Sequence, residues 1–309
     1  MINTKNVLSK MALVLNKEQL DILTAVLNDE TKTIGTNEEL IADFVKSKQY
    51  ENCSAMTLKM YKREITLFNE WFKKSFDEVT KKDIESYIGH YRAEHEVSDT
   101  TANNMRRYIS TFFGYLEHED IICSNPVRKT KAIKTCKQVK KAFTDVEIEK
   151  MRINSSSYRD KVIFDTLYST GVRVSELVQM NRADLKDGCA IVRGKGNKER
   201  YVYFTSVVWE ELNSYLESRT DNCPALFITN RKERISKTRV EQIVRDTGRA
   251  HNIKAYPHKF RRTLASNMLN KGCPIQEVQT ILGHSSIETT MIYCDINRDN
   301  IQYDHKKYC

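Results

Sequence analysis

Between Arg128 and Lys141 the chain carries seven basic residues, at 128, 129, 131, 134, 137, 140 and 141, and no acidic one. Cations without counter-charges cannot be buried together, so this stretch adds nothing to a hydrophobic core and reads as an extended linker over 126–142. It divides the 309 residues into two parts, each of which must bury a core of its own. Two uses of the run stay open at this point. One is a soluble tether; the other is a strap lying along phosphates, where each neutralised charge releases counterions.

Both parts are helical by pattern, and 10 Gly with 4 Pro are too few for a loop-rich all-β chain. Leu20, Leu23 and Leu27, with Ile22 and Val26 beside them, make a short amphipathic helix at 17–28 within an extra N-terminal segment, 1–30, whose apolar face needs a docking surface. Thr36 and Glu39 then form a capping box that opens a four-helix unit, placed at 36–125. Its helices carry Leu40, Ile41, Phe44 and Val45; Tyr61, Ile65, Phe68 and Phe72; Ile84, Tyr87, Ile88 and Tyr91 after Thr80; and Met105, Tyr108, Ile109, Phe112, Phe113 and Leu116. Thr144 and Glu147 open a second domain, 143–309. It has helices near 145–152, 158–170, 174–180, 205–218, 237–250, 258–271, 274–282 and 286–293, and short β-branched or aromatic strands at 190–193 and 201–204. The turn between those strands, Gly194-Lys195-Gly196-Asn197-Lys198, suits a hairpin because Gly and Asn tolerate positive φ. The expected fold class is mainly α, with a small antiparallel sheet in the second domain.

Lys plus Arg number 50 against 41 Asp plus Glu, a net charge of +9 that favours an acidic polymer as partner. Lys59, Lys62 and Arg63 on the second helix, and Arg106 and Arg107 on the fourth, lie off the apolar faces; each is either solvated surface or a phosphate contact. The 8 Cys contain no C-x-x-C pair, which argues against a cysteine zinc site and fits a reducing cytosol. The most apolar N-terminal run, 11–15, is far short of an export signal or a membrane span. A cytoplasmic protein with no membrane partner is expected.

Five segments of the second domain carry chemistry. They are Thr170-Gly171-Val172-Arg173-Val174-Ser175-Glu176-Leu177; Gly194-Lys195-Gly196-Asn197-Lys198-Glu199-Arg200; His258-Lys259-Phe260-Arg261-Arg262; Leu282-Gly283-His284; and Thr289-Thr290-Met291-Ile292-Tyr293. Singly, each has an ordinary explanation: Arg173 covering a helix end, Lys195 in a turn, His284 beside a helix C-terminus, Tyr293 as one of 15 tyrosines. Together, the order Arg…Lys…His-x-x-Arg…Gly-His-x8-Tyr resembles the tyrosine recombinase (phage integrase) family, by motif over 144–293 and by architecture over 38–120.

That resemblance implies a core-binding domain and a catalytic domain forming a clamp on double-stranded DNA, with the basic run between them. Six residues then act on a DNA phosphodiester. Arg173 and Arg261 neutralise the charge that builds on the non-bridging oxygens, as planar two-pronged donors can, and His258 and His284 add hydrogen bonds. Lys195, with Lys198 as its local competitor, protonates the leaving 5′-oxygen, and Tyr293 is the nucleophile of a 3′-phosphotyrosyl enzyme. Glu176 is expected to hold catalytic side chains in place. Arg128, Lys131, Lys134, Lys137, Lys140, Lys198 and Arg200 join Lys59, Lys62, Arg63, Arg106 and Arg107 as expected DNA contacts. Because the phosphotyrosine retains the energy of the phosphodiester, neither a nucleotide cofactor nor a metal is required.

The implied partners are inverted-repeat half-sites and a homotetramer on two DNA sites that integrates, excises or inverts a segment through a Holliday junction. The post-tyrosine tail is expected to pack on the neighbouring subunit. Phe260 and Arg262, where the family often has Leu and His, predict local repacking or an extra phosphate contact. Two alternatives share parts of the pattern: a type IB topoisomerase that relaxes supercoils, and a DNA-binding homologue without catalysis.

Overall fold

The computed structural model describes residues 11, 14–20, 22–23, 35–135, 141–194, 199–284 and 286–293. Lys195 and Lys198, Lys137 and Lys140, part of the 17–28 helix and the tail after Tyr293 lie outside the described residues; of that helix, 17–20, 22 and 23 are helical. The chain divides into two compact units, Met1–Gln138 and Val139–Cys309.

From Asn37 on, four helices follow one another among the described residues of the first unit: α1 (Asn37–Tyr50), α2 (Ala55–Phe72), α3 (Lys81–His95) and α4 (Asp99–His118). Thr36 and Thr80 start α1 and α3 by reciprocal capping with Glu39 and Asp83, which satisfies backbone donors that the first turn leaves unpaired. The apolar stripes meet in an aromatic core in which Phe44, Phe68, Phe76, Phe112 and Phe113 are almost wholly buried. Phe76 meets Phe112 edge-on at 4.9 Å, and Phe68 meets Tyr87 edge-on at 5.0 Å.

The basic segment does not begin as a free strap. Pro126–Lys129 is a 3₁₀ turn with Val127 fully buried in this core. Asn103 on α4 then brackets Ile133, its Nδ2 donating to the Ile133 carbonyl at 2.9 Å and its Oδ1 accepting from the Ile133 N–H at 3.0 Å. The sequence reading missed this because Val127 and Ile133 are isolated apolar residues among charges; they are covered because the 126–129 turn packs on α3 and α4 and Asn103 holds Ile133.

The second unit holds α5 (Asp145–Ile153), α6 (Tyr158–Thr170), α7 (Val174–Gln179), α8 (Ser206–Glu217), α9 (Lys237–Arg249), α10 (Pro257–Asn270), α11 (Ile275–Leu282) and α12 (Ile287–Met291). Between α7 and α8 runs an antiparallel sheet of β1 (Leu185–Lys186), β2 (Cys189–Arg193) and β3 (Glu199–Tyr203), in that order. Ile191 pairs with Tyr201; Ala190, Val192 and Val202 face the core, while Tyr201 and Tyr203 face out. The sequence pattern gave two strands, not three. Strand β1 is only two residues long, but the Asp187-Gly188 turn after it, with φ of 44° and 79°, has the two positive values of a type I′ hairpin. Among the described residues no helix is long and apolar enough to cross a membrane.

Candidate active site

Helix α6 ends at Gly171 in the left-handed conformation, φ 60°, and a Cβ there would lie 2.8 Å from Leu264 Cδ2. Only glycine allows the reversal at this spot. Two residues later Arg173 is the N-cap of α7, so its side chain leaves the chain where helix α6 has just stopped. Pro257 at the first position of α10 sets up the turn that carries His258 and, one turn on, Arg261.

The C-terminus of α11 gathers these groups. Its last carbonyls have no helical partners, and they carry the negative end of the helix dipole. Three consecutive carbonyls each take an arginine: Ile281 from Arg200 Nε at 3.1 Å, Leu282 from Arg261 Nη2, and Gly283 from Arg173 Nη2 at 3.3 Å. Arg261 also donates from Nη1 to the Gly171 carbonyl at 3.0 Å, so one guanidinium ties the end of α6 to the end of α11.

A single carboxylate serves two of these arginines. Glu176 is 3% exposed and accepts both terminal nitrogens of Arg200 at 2.8 Å, Arg173 Nη1 at 2.8 Å and the Arg173 backbone N–H at 2.8 Å. Burial by itself would raise the Glu176 carboxyl, but the Arg200 and Arg173 hydrogen bonds outweigh it and hold the group at about 2. Among the described residues three guanidinium groups thus gather at the end of α11 with one carboxylate, which pairs with two of them, leaving an excess of positive charge. Arg261, 3% exposed, shows the strain: burial and then its neighbours Arg173 and Arg200 lower it to about 10, still protonated at neutral pH. An oxyanion placed here relieves that repulsion.

Both histidines are held below the usual imidazole range. His258 is lowered by desolvation and by Arg261, Arg173, Lys237 and Arg262. His284 is lowered to about 4 by burial and then by Arg261, Arg173 and Arg200. Its Nδ1 lies 2.8 Å from Thr290 Oγ1, and its ring is tilted 33° to that of Tyr293 at 5.8 Å. Tyr293 follows α12, with its N–H on the Thr290 carbonyl at 3.0 Å and its own carbonyl near Ser266 Oγ at 3.4 Å. The structure therefore brings Arg173, Arg261, His284 and Tyr293 around one point, with His258 in the same cationic field.

Two expected DNA contacts are occupied elsewhere. Arg200 directs all three nitrogens of its guanidinium at Glu176 and Ile281 and its side chain is only 11% exposed, so it braces Glu176 against the end of α11. Arg106 clasps Thr130, from Nε to Oγ1 and from Nη2 to the carbonyl, both at 2.9 Å. Arg128 is exposed but paired with Glu117 at 2.8 Å, and Arg63 is 3.7 Å from Glu64. Lys59, Lys62, Arg107, Lys131 and Lys134 are exposed. Phe260 is fully buried, edge-on to Phe164 at 4.8 Å and tilted against Phe143 at 5.0 Å, so it repacks the core. Arg262 donates to the Tyr256 hydroxyl at 3.2 Å. Thr290 had no role assigned from sequence; its position one turn before Tyr293 was the available signal.

Residues 133–300 match the phage integrase family, and residues 40–122 match the phage integrase N-terminal SAM-like domain. A tyrosine recombinase XerC of Leptospira interrogans is 30% identical over 274 residues, covering 83% of this chain and 88% of that protein. A tyrosine recombinase XerC of Thermodesulfovibrio yellowstonii is 34% identical over 263 residues, covering 79% and 87%. The crystal structure of a lambda integrase tetramer bound to a Holliday junction superposes with a TM-score of 0.72 at 21% identity, covering 88% of this chain and 80% of that one.

Proposed function

The chain belongs to the phage integrase family and is a tyrosine-type site-specific recombinase, and from that premise we propose how its residues divide the work. The observation that carries the proposal is the excess of positive charge at the end of α11, where Arg173, Arg200 and Arg261 converge and Glu176 pairs with two of them. A scissile phosphate is the anion for this place, because its non-bridging oxygens gain charge as the fifth bond to phosphorus forms, and fixed donors stabilise that gain most.

Arg173 and Arg261 bind those oxygens, and His258 and His284 donate to them as neutral imidazoles. Tyr293 Oη gives its proton to solvent as it attacks phosphorus; the bond to the 5′-oxygen breaks, and the leaving oxygen takes a proton from Lys195 on the hairpin, which Lys195 recovers from the 5′-hydroxyl that attacks in the second step. A 3′-phosphotyrosine remains. A 5′-hydroxyl from another strand then attacks it, which releases Tyr293 and joins the new strand pair. Repeating the exchange on the second strand passes through a Holliday junction. Inverted-repeat half-sites on double-stranded DNA and a homotetramer on two sites complete the proposal. The helical first unit binds the DNA with Lys59, Lys62, Arg63 and Arg107, and the basic run follows the backbone with Lys131, Lys134, Lys137 and Lys140.

The direct test is Tyr293→Phe on a nicked suicide substrate. The variant is expected to bind DNA as the wild type does and to form no covalent protein–DNA adduct. An adduct from that variant removes Tyr293 from the role.

A further inference from the structure

His284 is held at both ends by unlike groups. Its backbone is pinned to α11, with its N–H on the Gln279 carbonyl at 3.1 Å and its own carbonyl accepting Gln279 Nε2 at 3.0 Å. Its ring meets Thr290, which is 0% exposed, through Nδ1 and Oγ1 at 2.8 Å. A neutral imidazole has one N–H, and which nitrogen bears it decides whether the ring can donate to a phosphate oxygen.

The hydroxyl settles the choice by its own needs. Among the described residues Nδ1 of His284 is the one hydrogen-bond partner of Thr290 Oγ1. If Nδ1 carried the hydrogen and donated to Oγ1, the Thr290 hydroxyl hydrogen would be buried with no acceptor, the costly arrangement for a polar group. If Oγ1 donates to Nδ1, both groups are satisfied and the ring's hydrogen falls on Nε2. We propose that Thr290 is a positioning residue that fixes His284 as the Nε2–H tautomer, so that the ring presents a donor to the scissile phosphate. The proposal rests on the reading of His284 as a phosphate ligand. Burial and the three arginines keep the ring neutral in the free protein, so a single proton is placed and not two.

The wild-type protein with ¹⁵N-labelled histidine reads the tautomer directly by long-range ¹H–¹⁵N correlation at pH 7. A protonated Nε2 at His284 is expected; a protonated Nδ1 overturns the proposal. Thr290→Val keeps the branched shape in the buried site and removes the hydroxyl. It is expected to shift His284 to a tautomer mixture and to slow adduct formation on the nicked substrate about tenfold, less than the roughly hundredfold cost of deleting an oxyanion donor. DNA affinity stays unchanged, and Thr290→Ser restores both the spectrum and the rate. A Thr290→Val protein with wild-type spectrum and rate sinks the idea. His284→Ala tests the underlying reading separately: a wild-type cleavage rate takes His284 off the phosphate, and the positioning role falls with it even where the tautomer is as expected.

Discussion

Arg200 lies 24 positions after Glu176 in sequence, yet both terminal nitrogens of its guanidinium are 2.8 Å from that carboxylate. The pair is buried, and removing one member of a buried ion pair leaves the other uncompensated. Arg200→Ala is therefore expected to cost about 3 kcal/mol of stability, the lower end for a broken buried pair because Arg173 still faces Glu176. Urea unfolding at pH 7 measures it. DNA affinity and its salt dependence are expected to stay at wild-type values. A stable Arg200→Ala protein with a shallower salt slope would instead return Arg200 to the DNA. The residues proposed for the site, Arg173, His258, Arg261, His284 and Tyr293, could be named from sequence because their order resembles a family motif and their side-chain types suit phosphoryl chemistry without a metal. The role of Arg200 could not. A basic residue on a hairpin looks the same whether it meets a phosphate or a buried carboxylate, and the carboxylate is remote in sequence.

Two helix ends show what a glycine does at this site and what it does elsewhere. Gly283 closes α11 with φ 65°, and a Cβ on it would lie 2.7 Å from Arg200 Cδ. Gly272, just beyond α10, has φ 84° with nothing within 4 Å of a built Cβ. Gly272→Ala is expected to cost about 1 kcal/mol, the left-handed backbone penalty alone. Gly283→Ala adds overpacking against Arg200 and is expected to cost about 3 kcal/mol and to slow adduct formation, since the displaced guanidinium releases Glu176 and, through it, Arg173. Equal costs for the two substitutions, read by thermal melts, would show that Arg200 yields without consequence. At this scale most of the fold was legible. Helices declare themselves through apolar spacing and through caps such as Thr36, Thr80 and Thr144, which are local signals. Strand β1 and the packed 126–133 segment escaped because a two-residue strand and two isolated apolar side chains take their structure from partners elsewhere in the chain.

Each unit buries a separate core: one around Phe44, Phe68 and Phe112, the other around Phe164, Leu167 and Phe260. The residues proposed for catalysis, Arg173, His258, Arg261, His284 and Tyr293, all belong to Val139–Cys309, as does Lys195 by sequence. The boundary at Gln138 falls inside the basic run, after the part that Asn103 and Arg106 hold against α4. Chemistry and most of the exposed cationic surface proposed for DNA are thus encoded in different units. A fragment of residues 139–309 is expected to fold cooperatively, because its core is complete without the first unit. It is also expected to form the Tyr293 adduct on a nicked suicide substrate, but only at higher protein concentration. Losing Lys59, Lys62, Arg63, Arg107, Lys131, Lys134 and Lys137 removes phosphate contacts, each worth up to about 0.9 in the slope of log affinity against log salt. The measurements are a urea melt, a salt titration of binding and an adduct gel. A folded fragment that forms no adduct at saturating DNA would mean that the first unit completes the active site. An unchanged salt slope would mean that the second unit alone carries the phosphate contacts.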